Sequence, residues 1–162
     1  MIICENIERA FSERKKPQDI VQGYPEATCD RDDALWFLGR DWHELTWKDW
    51  GEHYNGIFYF THEALAYYLP SVMILSSQTP EKWLIAADSV ITILSAGSAR
   101  ESDKSAFLGL KEMEYEALKD WLLALRETDT YDGKTEPSEI DRALETVDLL
   151  RSRTEQFGEG HA

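Results

Sequence analysis

The sequence predicts an all-α, mostly helical protein, a single-domain bundle of about six helices, and three observations carry that expectation. Apolar residues recur at three- and four-residue spacing along most of the chain. Helix-start signals of Thr, Asp and Pro precede several of these stretches. The one short aromatic segment with strand character, Ile57-Phe58-Tyr59-Phe60, has no obvious partner strand. At 162 residues the chain suits one core, and 43% hydrophobic with 12% aromatic residues is enough to build it. Residues 1–156 are assigned to that domain and 157–162 to a frayed C-terminal tail.

Ile3, Ile7, Ala10 and Phe11 share one helical face, which predicts a first helix over about 3–15, ahead of Pro17. Residues 17–33 combine Pro17, Gly23, Pro25 and an acidic cluster and suit a surface connection. Asp30 is placed to cap a short helix over Ala34–Leu38, stopped at Gly39. Thr46 is the N-cap expected for Trp47–Tyr54, with Asp49 returning the capping bond and Asn55-Gly56 supplying a left-handed stop. Residues 57–60 are the candidate extended segment.

Thr61 caps the next helix, and Glu63 lies in its first turn, where the macrodipole favours an acid. Pro70 is expected to kink or break it before Val72–Leu75 resumes. Thr79-Pro80-Glu81 reads as a start signal for a helix over about 80–95, with Trp83 or Leu84, Ala87, Ile91 and Leu94 buried and Gly97-Ser98 ending it. A broad stripe of Leu110, Met113, Ala117, Leu118, Trp121, Leu122 and Leu125 predicts a helix within 106–126. The last helix, about 137–153, opens on Pro137, after a turn containing Asp132-Gly133.

The balance of 17 Lys+Arg against 31 Asp+Glu, net −14, opposes binding to polyphosphate and anionic lipid, so neither nucleic acid nor a membrane is an expected partner. The most apolar run, Val72 to Leu75, is far shorter than the ~20 residues that cross a bilayer. Cys4 and Cys29 lack C-x-x-C spacing, and the start Met-Ile-Ile-Cys-Glu-Asn has no signal-peptide pattern; both thiols are expected free, in a reducing cytoplasm. Acids concentrate in residues 127–148, where eight face only Lys134 and Arg142. Such a run serves either as a solvated face or as an electrostatic landing surface for a basic protein. In the second case Asp129, Asp132, Glu136 and Glu139 are the candidate contact residues, with Asp32 and Asp33 as a second patch.

Chemistry-bearing patterns are weak. His43, Glu44, Asp49, Glu52 and His53 fall close together, and Asp49 and His53 are four apart on the expected helix, but there is no H-E-x-x-H; no metal and no cofactor is expected. Adjacent carboxylates arise by chance among 31 acids, and no G-x-S-x-G or Gly-rich phosphate loop is present, so enzymatic activity is not expected. The aromatic cluster from Trp36 to Tyr68 most simply builds core, with Trp47, Trp50 and Tyr54 on one helical face; its alternative use is a partner hot spot.

The stretch Phe60-Thr61-His62-Glu63-Ala64-Leu65-Ala66-Tyr67-Tyr68-Leu69-Pro70, preceded by Trp42-His43-Glu44-Leu45, resembles the signature of an uncharacterised bacterial domain family. Its members carry an F-x-T-x-E-A-x-x-Y-Y-L-P core after a Trp-containing segment; this chain matches it from Thr61 to Pro70, with Phe60 one residue nearer to the threonine than in that pattern. The resemblance covers about residues 3–126. It implies a small stand-alone cytosolic domain without enzymatic activity, and some members are similar to proteins encoded beside secreted polymorphic toxins. The expected function is thus an immunity-type inhibitor that binds a cytosol-acting toxin with a basic cleft through an acidic surface. The competing expectation is a helical adaptor or regulatory domain with no toxin partner. The sequence sets no oligomeric state.

Overall fold

The structure, a computed structural model, describes residues 2–22, 29–80, 82, 84–95, 106–128 and 137–159. Among these, seven α-helices occur: α1 (Ile2–Phe11), α2 (Cys29–Leu35), α3 (Trp47–His53), α4 (His62–Gln78), α5 (Ile85–Ser95), α6 (Glu112–Arg126) and α7 (Pro137–Glu159). Short 3₁₀ segments cover Trp42–Glu44, Tyr54–Tyr59 and Ala106–Gly109. The described residues form no sheet, and one isolated antiparallel bridge joins Val21 to Phe60. The fold is all-α, as the periodicity predicts.

α4 is the centre. The Thr61 hydroxyl accepts from the Ala64 N–H at 3.1 Å and opens it. Most of its residues are buried, including the Ala64–Ile74 run. The expected break at Pro70 does not occur: the helix runs continuously from His62 to Gln78. Proline removes one N–H there, but packing on all sides of a buried helix offsets the loss of a single backbone bond. Two indoles fasten neighbouring elements to α4. Trp50 Nε1 donates to Ser71 Oγ at 2.9 Å, and Trp121 Nε1 donates to Ser76 Oγ at 2.9 Å. Both tryptophans are fully buried, so each indole N–H needs such a partner.

α1 buries Cys4, Ile7 and Phe11 against α4 and α6 and ends at Phe11 rather than near 15. Beyond it the chain turns and Arg14 reaches α6. There its Nε and Nη2 donate to the two carboxylate oxygens of Glu114 at 2.6 and 2.5 Å, and Nη2 also donates to the Gly109 carbonyl at 2.8 Å. Glu114 is 0% exposed and accepts in addition from the Lys111 backbone N–H at 2.6 Å. A buried carboxylate is tolerable because both of its oxygens are occupied by charged or backbone donors. The bond from Glu114 raises the affinity of the Arg14 guanidinium for its proton.

α2 lies earlier than the Ala34–Leu38 expectation. It is continued by tight turns in which Phe37 N donates to Ala34 O and Leu38 N to Leu35 O, up to Gly39 at φ +78°, the stop that glycine provides. The Thr46 capping box of α3 is as the sequence predicts: Thr46 N donates to Asp49 Oδ2 at 2.8 Å and Asp49 N to Thr46 Oγ1 at 3.3 Å. Gly56, expected as a left-handed stop, has no positive φ. Its role is steric, since a Cβ there would stand 3.0 Å from Ala34 Cα. The proposed extended segment 57–60 is likewise corrected: residues through Tyr59 are 3₁₀ helix and only Phe60 pairs, with Val21. With no strand alongside, the backbone satisfies itself through local bonds.

α5 begins at Ile85, not Pro80. The Thr79 hydroxyl instead donates back to Leu75 O at 3.1 Å, and its carbonyl accepts from Lys82 N at 3.0 Å, so the Thr-Pro pair makes the exit from α4. The start residues Glu81 and Trp83, the loop 96–105 and the turn 129–136 lie outside the described residues. α6 and α7 pack antiparallel. Arg126 pairs with Asp141 at 2.8 Å, Lys119 with Asp148 at 3.0 Å, and Arg151 with Glu112 and Glu116. These contacts recur at helical spacing along both helices and share one register. α7 runs through Glu159, past the expected end near 153 and into the segment expected to fray; residues 160–162 are outside the described set. No helix among the described residues is long and apolar enough to cross a membrane.

Candidate functional site

Of the residues expected to meet a partner, Asp129, Asp132 and Glu136 lie outside the described residues. Glu139 is half-buried in the first turn of α7. Further along the same acidic run, Asp141 and Asp148 are engaged in the α6–α7 ion pairs, so part of the run fixes helix register rather than facing a partner. The second patch divides. Asp32 is exposed, whereas Asp33 is half-buried with Oδ1 at 3.0 Å from His53 Nδ1. The other metal candidate on α3, Asp49, is held by Thr46, so the i, i+4 pair does not converge. Among the described residues no three His, Cys, Asp or Glu side chains gather around a common point.

What the structure does bring together is an edge built on α2 and the turn after it. Asp32 and Leu35 are three apart on the helix, and the three-residue bonds of the turn place Leu38 over Leu35. Leu35 is 37% and Leu38 55% exposed, which makes them two of the few large apolar side chains left in water. Beside them the half-buried Trp36 stacks on His53, with centroids 4.2 Å apart and planes 15° from parallel. The Arg40 guanidinium sits 3.7 Å from the Trp36 ring centre and donates through Nε to the Trp36 carbonyl at 2.8 Å. An arginine on an indole is held by the negative face of the ring.

The edge is held from beneath by the aromatic core. Phe37 is fully buried and contacts Trp50, Phe60 and Tyr68 at centroid distances of 4.7, 5.3 and 5.2 Å. The Tyr68 hydroxyl donates to the Phe37 carbonyl at 2.5 Å and also lies 3.0 Å from the Arg40 carbonyl, pinning the turn that carries Leu38. Burial pushes the ionisation of Tyr68 well above its ordinary value. Tyr67 is also pushed up, by burial first and then by the nearby Asp41 carboxylate. Tyr68, packed edge-on against Tyr67, therefore supports a surface turn from inside the core.

A second histidine repeats the pattern. His43 Nδ1 lies 2.6 Å from Asp41 Oδ1, and its ring stacks on Trp42 with centroids 3.6 Å apart. The Asp41 carboxyl is held below its usual range by the His43 backbone N–H and then by the His43 ring. In both cases an aspartate fixes an imidazole against an indole. Among the described residues the hydrogen-bond partner of each ring is an aspartate carboxylate. The repeated unit orders a polar and aromatic surface.

Sequence reasoning missed this edge because Leu35 and Leu38 fall inside what reads as a short amphipathic helix. Their exposure depends on the early helix end and on Gly56 closing against Ala34. Compared with family models, with curated proteins and with solved structures, the chain matches none.

Proposed function

We propose that this chain is an immunity-type inhibitor that binds a cytosol-acting bacterial toxin, and that the Asp32–Leu35–Leu38 edge with Trp36 and Arg40 is part of the surface the toxin meets. The observation that carries this reading is the pair of exposed leucines beside a half-buried tryptophan on a turn locked by Tyr68. Aromatic and arginine anchors on a preorganised surface are the usual hot spots of protein interfaces. The net charge of −14 suits a basic partner and favours fast, salt-sensitive association. The resemblance of residues 60–70 to a family with toxin-associated members supports the same reading. The acids Asp129, Asp132, Glu136 and Glu139 supply the second part of the proposed surface.

The test is co-expression with the products of the neighbouring genes, first with any that ends in a toxin domain, scored by rescue of growth and by calorimetric affinity. Rescue is expected from the wild type. Leu35→Asp/Leu38→Asp is expected to weaken binding by roughly thirtyfold or more while the melting temperature holds. Charge reversal at Asp129, Asp132, Glu136 and Glu139 is expected to slow association and reduce its salt dependence. Absence of rescue, with no complex formed, rejects the inhibitor reading. A complex with a non-toxic partner through the same edge would establish the adaptor alternative instead.

A further inference from the structure

The connection after α1 passes beside the first turn of α4 and the N-terminal end of α6, and the three elements enclose an open pocket of about 510 Å³. Arg14, Lys15, Lys16 and Lys111 line it together with Glu13, Asp19 and Glu63. Four basic residues around one space are notable in a chain of net −14, but the three acids make the lining close to neutral.

The side chains divide by what they already hold. Lys111 pairs with Glu13 at 3.0 Å. Arg14 is fixed by Glu114 and Gly109 through Nε and Nη2, and among the described residues Nη1 makes no hydrogen bond. Lys16 donates to the Gly39 carbonyl at 3.3 Å. Among the described residues the side chains of Lys15, Asp19 and Glu63 make no hydrogen bond or ion pair, and Glu63 acts on the Arg14 guanidinium through space. Apart from the Lys111–Glu13 pair, the described residues show no hydrogen bond or ion pair between the charges of opposite sign that line this cavity. The walls are anchored: the Thr61 hydroxyl donates to the Asp19 carbonyl at 2.7 Å, Thr61 N donates to Ile20 O at 2.9 Å, and Pro17 is buried.

A purely anionic ligand here would face Asp19 and Glu63, and a purely cationic one would face Lys15 and Lys16. Among the described residues no aromatic side chain lines the pocket, and its lining is charged rather than suited to stacking. A small molecule carrying one charge of each sign answers the whole lining. We propose that this pocket binds a zwitterion of the free α-amino acid class. Its carboxylate is taken by Lys15 and the free Nη1 edge of Arg14, and its ammonium by Glu63 and Asp19. Charge-assisted hydrogen bonds at both ends give the selectivity. The site adjoins the α2 edge through the Lys16–Gly39 bond but does not depend on the toxin reading.

The experiment exposes the full chain to each of the twenty standard L-amino acids by thermal shift and measures any that bind by calorimetry. Each such amino acid is then compared with its N-acetyl and carboxamide derivatives. At least one amino acid is expected to bind, with both derivatives about tenfold weaker or worse, because each has lost one charged contact. Lys15→Ala and Glu63→Gln are each expected to weaken binding by about tenfold while leaving the melting temperature of the free protein within ~2 °C of wild type. The proposal is overturned if no amino acid binds, if an N-acetyl or carboxamide form binds as tightly as its parent, or if the K15A/E63Q double variant keeps wild-type affinity.

Discussion

Replacing Arg14 by Met removes the two hydrogen bonds to Glu114, at 2.6 and 2.5 Å, and the one to the Gly109 carbonyl at 2.8 Å, while keeping an apolar chain in their place. Glu114 stays fully buried, with the Lys111 backbone N–H as its remaining donor. Stripping the partner from a buried charge costs about 3–5 kcal/mol. The Arg14 side chain is 19% exposed, so water can reach part of the vacated space, and this places the loss near the lower end, ~3 kcal/mol. For a domain of this size each kcal/mol lowers the melting temperature by about 2–4 °C, so a fall of about 6–12 °C is expected. Urea unfolding followed by tryptophan fluorescence, with calorimetry in parallel, measures both quantities. The double variant Arg14→Met/Glu114→Leu removes both charges and is expected to recover most of the loss, because a well-packed apolar pair needs no desolvation of ions. A loss below ~1 kcal/mol for R14M, or a double variant no better than the single one, would refute the view of Glu114 as a buried charge held by Arg14.

Tyr68→Phe deletes the hydroxyl that donates to Phe37 O and lies against Arg40 O, and is expected to cost about 1–3 kcal/mol. Tyr67, Tyr68 and Tyr115 all have raised ionisation, chiefly through burial, so their contribution is full below the unfolded value near pH 10 and is lost as pH rises beyond it. Urea midpoints between about pH 8 and 11 should fall less steeply for Y68F than for wild type. Asp41 titrates below its ordinary range, so it stabilises above about pH 4 and that contribution disappears as pH falls through the folded value. Asp41→Asn is therefore expected to lower the urea midpoint at neutral pH, with the gap to wild type closing in acid; a gap unchanged down to about pH 2.5 would contradict the assigned bonds.

Local signals were legible and long-range ones were not. The caps at Thr46 and Thr61 depend on residues three positions away and could be read directly. The misplacement of the α5 start has a local cause too, since Thr-Pro serves equally to close one helix and to open another. Glu114 carried an unused signal: it is four residues from both Leu110 and Leu118, on the apolar stripe of α6, and an acid in that position demands a partner. The partner, Arg14, could not be found without the packing of α1 on α6. The same holds for the acidic run at 127–148. Which of its members face α6 is set by the antiparallel register, and that register shows only once α6 and α7 are seen side by side. The α2 edge was hidden for a different reason, because the exposure of Leu35 and Leu38 follows from where a helix stops rather than from its composition.

The placement of α1 against both α4 and α6 also bears on synthesis at the ribosome. α1 is made well before α6, yet α6, one of its two supports, begins at Glu112. At about 5–20 residues per second, Ile7, Phe11 and Arg14 wait on the order of ten seconds before Glu114 and the face of α6 emerge. Throughout that interval α4, apolar on nearly every side, has neither Trp121 nor the α6 surface to cover it. The core closes only once α6 has been made, and a nascent chain arrested before residue 112 would hold α4 only partly sheltered.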